Sequence, residues 1–223
     1  MKRTLTLAAL AATSAATAGA AYANDGPLAI GASIGTTGAT IEAQYEVTPY
    51  IHLRGNYNWL EYGADDTYDD IDYSGNLDMT TFGAFIDLHP FGNSFVVTGG
   101  AYFGDKALDL SATSGQTYDI GGNTYSSAQV GTLAGSAKLE DTAPFVGLGW
   151  DTTFQGKGAF GFKFIAGAMF TGSPQVNLTS TGGSLSNDAN FQNQLAIEEQ
   201  NLQNDVDDYE IFPVIQAGLS FRF

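Results

Sequence analysis

Tyr209-Glu210-Ile211-Phe212-Pro213-Val214-Ile215-Gln216-Ala217-Gly218-Leu219-Ser220-Phe221-Arg222-Phe223 ends the sequence and alternates throughout. One face carries Tyr209, Ile211, Pro213, Ile215, Ala217, Leu219, Phe221 and Phe223. The other carries Glu210, Phe212, Val214, Gln216, Gly218, Ser220 and Arg222. Successive side chains of a strand point to opposite sides, so this is a long strand with its most polar positions on one face. A soluble strand rarely shows water a face this aromatic. A membrane-spanning strand turns such a face to lipid and its polar face into a barrel.

Seven further strands precede it. They run from Leu28 to Gly35, Gly38 to Val47, Tyr50 to Tyr62, Tyr73 to Leu88, Phe95 to Leu110, Ala137 to Thr153 and Ala159 to Asn177. The second sets Ile41, Ala43, Tyr45 and Val47 against Glu42, Gln44 and Glu46. The third sets Ile51, Leu53, Tyr57 and Trp59 against His52, Arg54, Asn56 and Asn58. Links after strands two, four and six are short and those after three, five and seven are long (Gly63 to Asp72, Ser111 to Ser136, Leu178 to Asp208); only the first, around Thr36-Thr37, is short out of turn. Short turns at one end and long loops at the other are the layout of outer-membrane barrels. Each crossing needs about 9–11 residues, and a sheet in lipid must close because nothing there can bond an open edge. Aromatic residues near strand ends suit interfacial girdles: Tyr50, Trp59, Phe91, Phe95, Trp150, Phe160, Phe221 and Phe223. The expected fold is all-β: an eight-stranded antiparallel up-and-down transmembrane β-barrel with a short helix in the last extracellular loop.

The first residues read as a removable address. Lys2 and Arg3 precede an uncharged, small and apolar run from Leu5 to Ala20, and Ala21-Tyr22-Ala23 fits a small-x-small cleavage site. The expected organisation is a signal peptide over 1–23 and a barrel over 24–223. Cysteine is absent, so disulfide and thiol chemistry are excluded. Acidic residues number 24 against 8 basic ones, which removes nucleic acid from the expected partners. Aromatic residues make up 13% of the chain, too many for a disordered acidic one.

Strand parity sends a polar set inward: Glu42, Glu46, His52, Arg54, Asp151, Lys163 and Arg222. Across the two tight hairpins this predicts Glu42 or Glu46 pairing with Arg54, and Asp151 with Lys163. An eight-stranded barrel is just wide enough for side chains to fill, so the set reads as a structural plug, or as the lining of a narrow solute path. A lipid-modifying enzyme is a third reading. The two histidines, His52 and His89, carry no catalytic motif around them, and no metal-ligand cluster or phosphate loop is present. No catalytic residue, cofactor or metal is expected.

Asp65-Asp66-Thr67-Tyr68-Asp69-Asp70-Ile71-Asp72 reads as a solvated acidic loop, or as a weak divalent-cation site; it lacks the Gly and Glu of an EF-hand. From Asn190 to Asp207 the pattern turns helical, with Phe191, Leu195, Leu202 and Val206 near one face and Asn187 or Asp188 as cap. This helix should pack on the rim or fold over the mouth.

Family likeness enters with specific segments. The closing aromatics Phe221 and Phe223 resemble the terminal signature by which assembly machinery recognises outer-membrane barrels. Phe85-Ile86-Asp87-Leu88-His89-Pro90-Phe91-Gly92-Asn93-Ser94-Phe95 resembles a turn of a widespread proteobacterial outer-membrane family, with Leu88 where an aromatic is common. Tyr118 to Tyr125, Val130 to Leu133, Ala143 to Trp150, Gly172 to Val176, Phe212 to Val214 and Gly218 to Phe223 continue the likeness. The family is similar to the CarO-type porins. That resemblance implies a Gram-negative outer-membrane protein in contact with lipid and lipopolysaccharide, assembled by the barrel machinery. It also implies a structural or narrow porin-like role for small cationic or zwitterionic solutes such as basic amino acids. The alternative is a closed barrel serving surface interaction or membrane integrity.

Overall fold

The computed structural model describes residues 26–68, 71–114, 117–156 and 158–223. The expected signal peptide lies outside them. Eight strands form the barrel wall: β1 (Leu28–Gly35), β2 (Gly38–Thr48), β3 (Ile51–Tyr68), β4 (Ile71–Leu88), β5 (Phe95–Ser114), and then β9 (Thr142–Asp151), β10 (Phe160–Phe170) and β12 (Ile211–Arg222). All neighbours are antiparallel. The wall closes through β5 on β9, Phe95 opposite Trp150, and through β1 on β12, Ile30 opposite Phe221.

The period-2 pattern sorts the two faces. In β12, Ile211, Ile215 and Leu219 are exposed on the outer wall, whereas Val214, Gln216, Ser220 and Arg222 are buried inside. β9 alternates without a break, with Val146, Leu148 and Trp150 outside and Ala143, Phe145 and Asp151 inside. This apolar exterior is the one a lipid environment requires.

Three expectations are corrected at the long-loop end. Gly63 to Asp72 is not a loop: β3 and β4 stay paired from Ile51–Leu88 out to Tyr68–Ile71. Asp69 and Asp70 of the acidic stretch lie outside the described residues. The segment from Ser111 to Ser136 is also structured. It holds the hairpin β6 (Thr117–Ile120) and β7 (Asn123–Ser126), a single helical turn α1 (Ser127–Val130), and most of β8 (Gly131–Lys138). Ala137 and Lys138 therefore end β8 rather than begin the sixth wall strand. Finally, Ala159 to Asn177 is not one strand. It breaks after Phe170, Gly172 takes a φ of 65°, and Gln175 opens β11 (Gln175–Gly182), which pairs with β8 instead of the wall.

Above the rim β5 leaves β9 and pairs with β8, Ala107 opposite Lys138, so the sheet rises past the barrel as β4-β5-β8-β11. The helix α2 (Ala189–Val206) lies on this extension. Asp188 caps it, accepting from the backbone amides of Asn190 and Phe191. Phe191 and Leu195 are buried with Tyr118, Ile120 and Val130, giving the extension a small apolar core of its own. The helix thus packs on the rim structure, one of the two placements expected.

Candidate functional site: the lumen

Each wall strand contributes every second residue to the interior, and the interior divides lengthwise. One half is apolar, from β4, β5, β9, β10 and β12: Phe85, Tyr102 and Phe145 meet edge to face at centroid separations of 5.0, 5.5 and 5.7 Å, with Ile165, Met169 and Val214 against them. Such aromatic pairs contribute about 0.5–1.5 kcal/mol each beyond area burial. Space for the Phe145 ring comes from Gly147 and Gly167, where an added Cβ would come within 2.7 Å of its Cζ.

The other half is polar and centred on β1, β2, β3 and β12. Near the long-loop end Gln216 donates to Thr37, and Thr40 donates to Asn58. Asn58 in turn donates to Asn56 and Thr81. At mid-height lie two ion pairs. Arg54 grips Asp87, Nε on Oδ2 at 2.6 Å and Nη2 on Oδ1 at 3.0 Å, while Nη2 also donates to Thr98. Its guanidinium rests on the Phe85 ring, 4.2 Å from the centroid. Lys163 reaches across the lumen to Glu42, whose other oxygen accepts from Gln44. All four charged side chains are at most 2% exposed.

The short-turn end is sealed by rings. The His52 and His89 rings lie 4.3 Å apart, tilted by 41°, and Phe154 meets His52 edge-on at 4.8 Å. His89 Nδ1 donates to the Asn93 carbonyl. Arg222 lies over Phe154, with Nη2 at 3.5 Å from Glu46 and Nε donating to the Gly26 carbonyl.

All seven polar residues picked by parity point inward, but the pairing differs from expectation. Arg54 takes Asp87 rather than Glu42 or Glu46. Lys163 takes Glu42, although Asp151 is its direct neighbour across β9 and β10. Asp151 instead accepts from the Thr153 amide through one oxygen, and its other oxygen has no partner among the described residues. Asp87 sits diagonally from Arg54 on the adjacent strand β4, whereas Lys163 passes over β12 and β1 to reach Glu42 because the lumen is narrow. Sequence reasoning missed Asp87, Thr98 and Phe154. The β4 parity that turns Phe85 inward also turns Asp87 inward, and that signal was available.

No protein-family model matches the chain, and no curated protein does. Among solved structures, Acinetobacter baumannii CarO2 superposes with a TM-score of 0.62 at 27% identity, over 89% of this chain and 99% of that one. The chain is a CarO-like eight-stranded barrel. A. baumannii CarO shares the fold at a TM-score of 0.59 and 23% identity, over 91% of this chain and 100% of that one.

Proposed function

We propose that the protein is an integral outer-membrane barrel whose lumen its own side chains hold shut, and that it serves the cell surface rather than steady diffusion. The observation that carries this reading is the pair of buried salt bridges, Arg54–Asp87 and Lys163–Glu42, with the aromatic cluster beside them and the His52–His89–Phe154 seal below. A lumen filled so completely that these side chains lose contact with water leaves no room for a hydrated solute. Placement in the outer membrane is supported by the apolar exterior and by exposed aromatics at its short-turn margin, Tyr50, Phe91, Trp150 and Phe160. The short turns would face the periplasm and the extension the outside, after removal of residues 1–23.

Single-channel recording in planar bilayers tests this. The purified protein should show no steady conductance, and Arg54→Ala with Asp87→Ala should produce one. Sustained conductance of the unaltered protein would overturn the closed reading.

A second reading, a gated path for small cationic solutes, is favoured by one feature. Glu42, Asp87 and Asp151 face Arg54 and Lys163 at mid-height, one acid in excess, and the spare Asp151 oxygen is uncommitted. Catalysis has no such support: neither histidine ring bonds a nucleophilic hydroxyl among the described residues.

A further inference from the structure

The extension continues the surface that meets lipid lower down. On β4 a single face carries Phe82, Thr80, Asp78 and Asn76 in succession, all exposed, so the outer wall passes from apolar to polar as it rises past the rim. Register then sets Asn76 opposite Asp109, Asp109 opposite Ser136, and Ser136 opposite Asn177. Four polar side chains thus stand in a row across four strands, at the interstrand spacing of about 4.8 Å. The middle strand β8 is built of small residues here, Ala134, Gly135 and Ser136, and forms the floor of a trough between β5 and β11. The cavity measures about 360 Å³. No side-chain hydrogen bond engages Asn76, Asp109, Ser136 or Asn177 among the described residues.

Charge narrows what can lie there. Lys138, two residues beyond Ser136 on β8, pairs with Asp141 at 3.4 Å and Asp105 at 3.5 Å, and those carboxylates hold its pKa above the ordinary lysine value. With Asp78 and Asp109 close by, the trough repels phosphate. Amide, hydroxyl and carboxylate groups in a flat row suit the vicinal hydroxyls of a neutral sugar, each able to donate and accept. Position names the source: whatever stands beside a lipid-facing wall just above the hydrocarbon is the head of the surrounding lipid.

We propose that this trough binds the neutral saccharide of an outer-leaflet glycolipid, its hydroxyls bonding Asn76, Asp109, Ser136 and Asn177. The proposal rests on the outer-membrane reading only for the origin of the sugar, since binding itself can be read on the isolated protein. The full-length barrel, folded in detergent, is titrated with core oligosaccharide stripped of lipid and phosphate, by calorimetry and saturation-transfer NMR, with inorganic phosphate as a parallel probe. Saturable binding of the oligosaccharide is expected. Ala134→Leu, which fills the floor, and Asn177→Ala should each weaken it by about tenfold or more, as loss of one or two hydrogen bonds implies. Asn177 lies on an edge strand, so its variant keeps the test alive should Ala134→Leu misfold. No binding, equal affinity in both variants, or preference for phosphate would overturn the proposal. A barrel found in another membrane would refute the localisation and leave this titration readable.

Discussion

The Arg54 guanidinium and the Asp87 carboxylate form a two-point contact inside the barrel, at 2.6 and 3.0 Å, with Phe85 beneath the cation. Breaking a buried pair by removing one partner typically costs about 3–5 kcal/mol, because the remaining charge is stranded, whereas replacing both by apolar groups can be neutral. Asp87→Asn should therefore lower stability by about 3 kcal/mol, and Arg54→Met with Asp87→Leu should recover most of that. Urea midpoints of the folded, heat-modifiable form in micelles measure both. A double variant no better than the single would refute the account.

Glu42 and Asp151 should be coupled through Lys163. Asp151→Asn alone keeps the acceptor for the Thr153 amide and should cost under about 1 kcal/mol. Glu42→Gln leaves Lys163 able to turn to Asp151, its register neighbour. Removing both acids strands the ammonium, so the double variant should lose more than the sum of the singles, by about 0.5–3 kcal/mol. The same micelle unfolding series checks this, and additivity would exclude Asp151 as the reserve partner.

The extension should come apart without the barrel. Phe191 is 1% exposed and packs edge-on against Tyr125 at 5.0 Å. Phe191→Ala removes a core aromatic, a change worth about 3–5 kcal/mol where burial is complete. Limited proteolysis should then cut within α2 while the wall keeps its heat-modifiable migration. Loss of both together would make barrel and extension one cooperative unit.

Phe223 should matter more during assembly than afterwards. Its ring touches Phe221 at 5.3 Å but remains 37% exposed, and its backbone amide bonds the Leu28 carbonyl whatever the side chain. Phe223→Ala should sharply reduce folded protein in cells, yet refold in detergent once purified. Equal cellular levels would count against recognition by the assembly machinery.

The parity of β12 and β9 was legible in the sequence because lipid demands an unbroken apolar face. Which base meets which acid was not. Arg54 lies opposite Gln44 on one side and Phe85 on the other, so its diagonal neighbours on both sides include acids, and only three-dimensional closure selects Asp87. The extension was illegible for a different reason. β8 reads Gly-Thr-Leu-Ala-Gly-Ser-Ala-Lys, too small and too weakly alternating to be told from a loop, and it becomes a strand because β5 and β11 bond it on either side. The helix was visible because its cap and apolar spacing are local.

The seam between β1 and β12 has a kinetic meaning. Ile30 pairs with Phe221, so the first wall strand waits for the last one before it has a second neighbour. The entropic cost of loop closure grows with the length of chain enclosed, and contacts of such long range slow folding. Without β12 the sheet keeps two unpaired margins, on β1 and on β10. Any premature stop forfeits the entire ring rather than one stave of it.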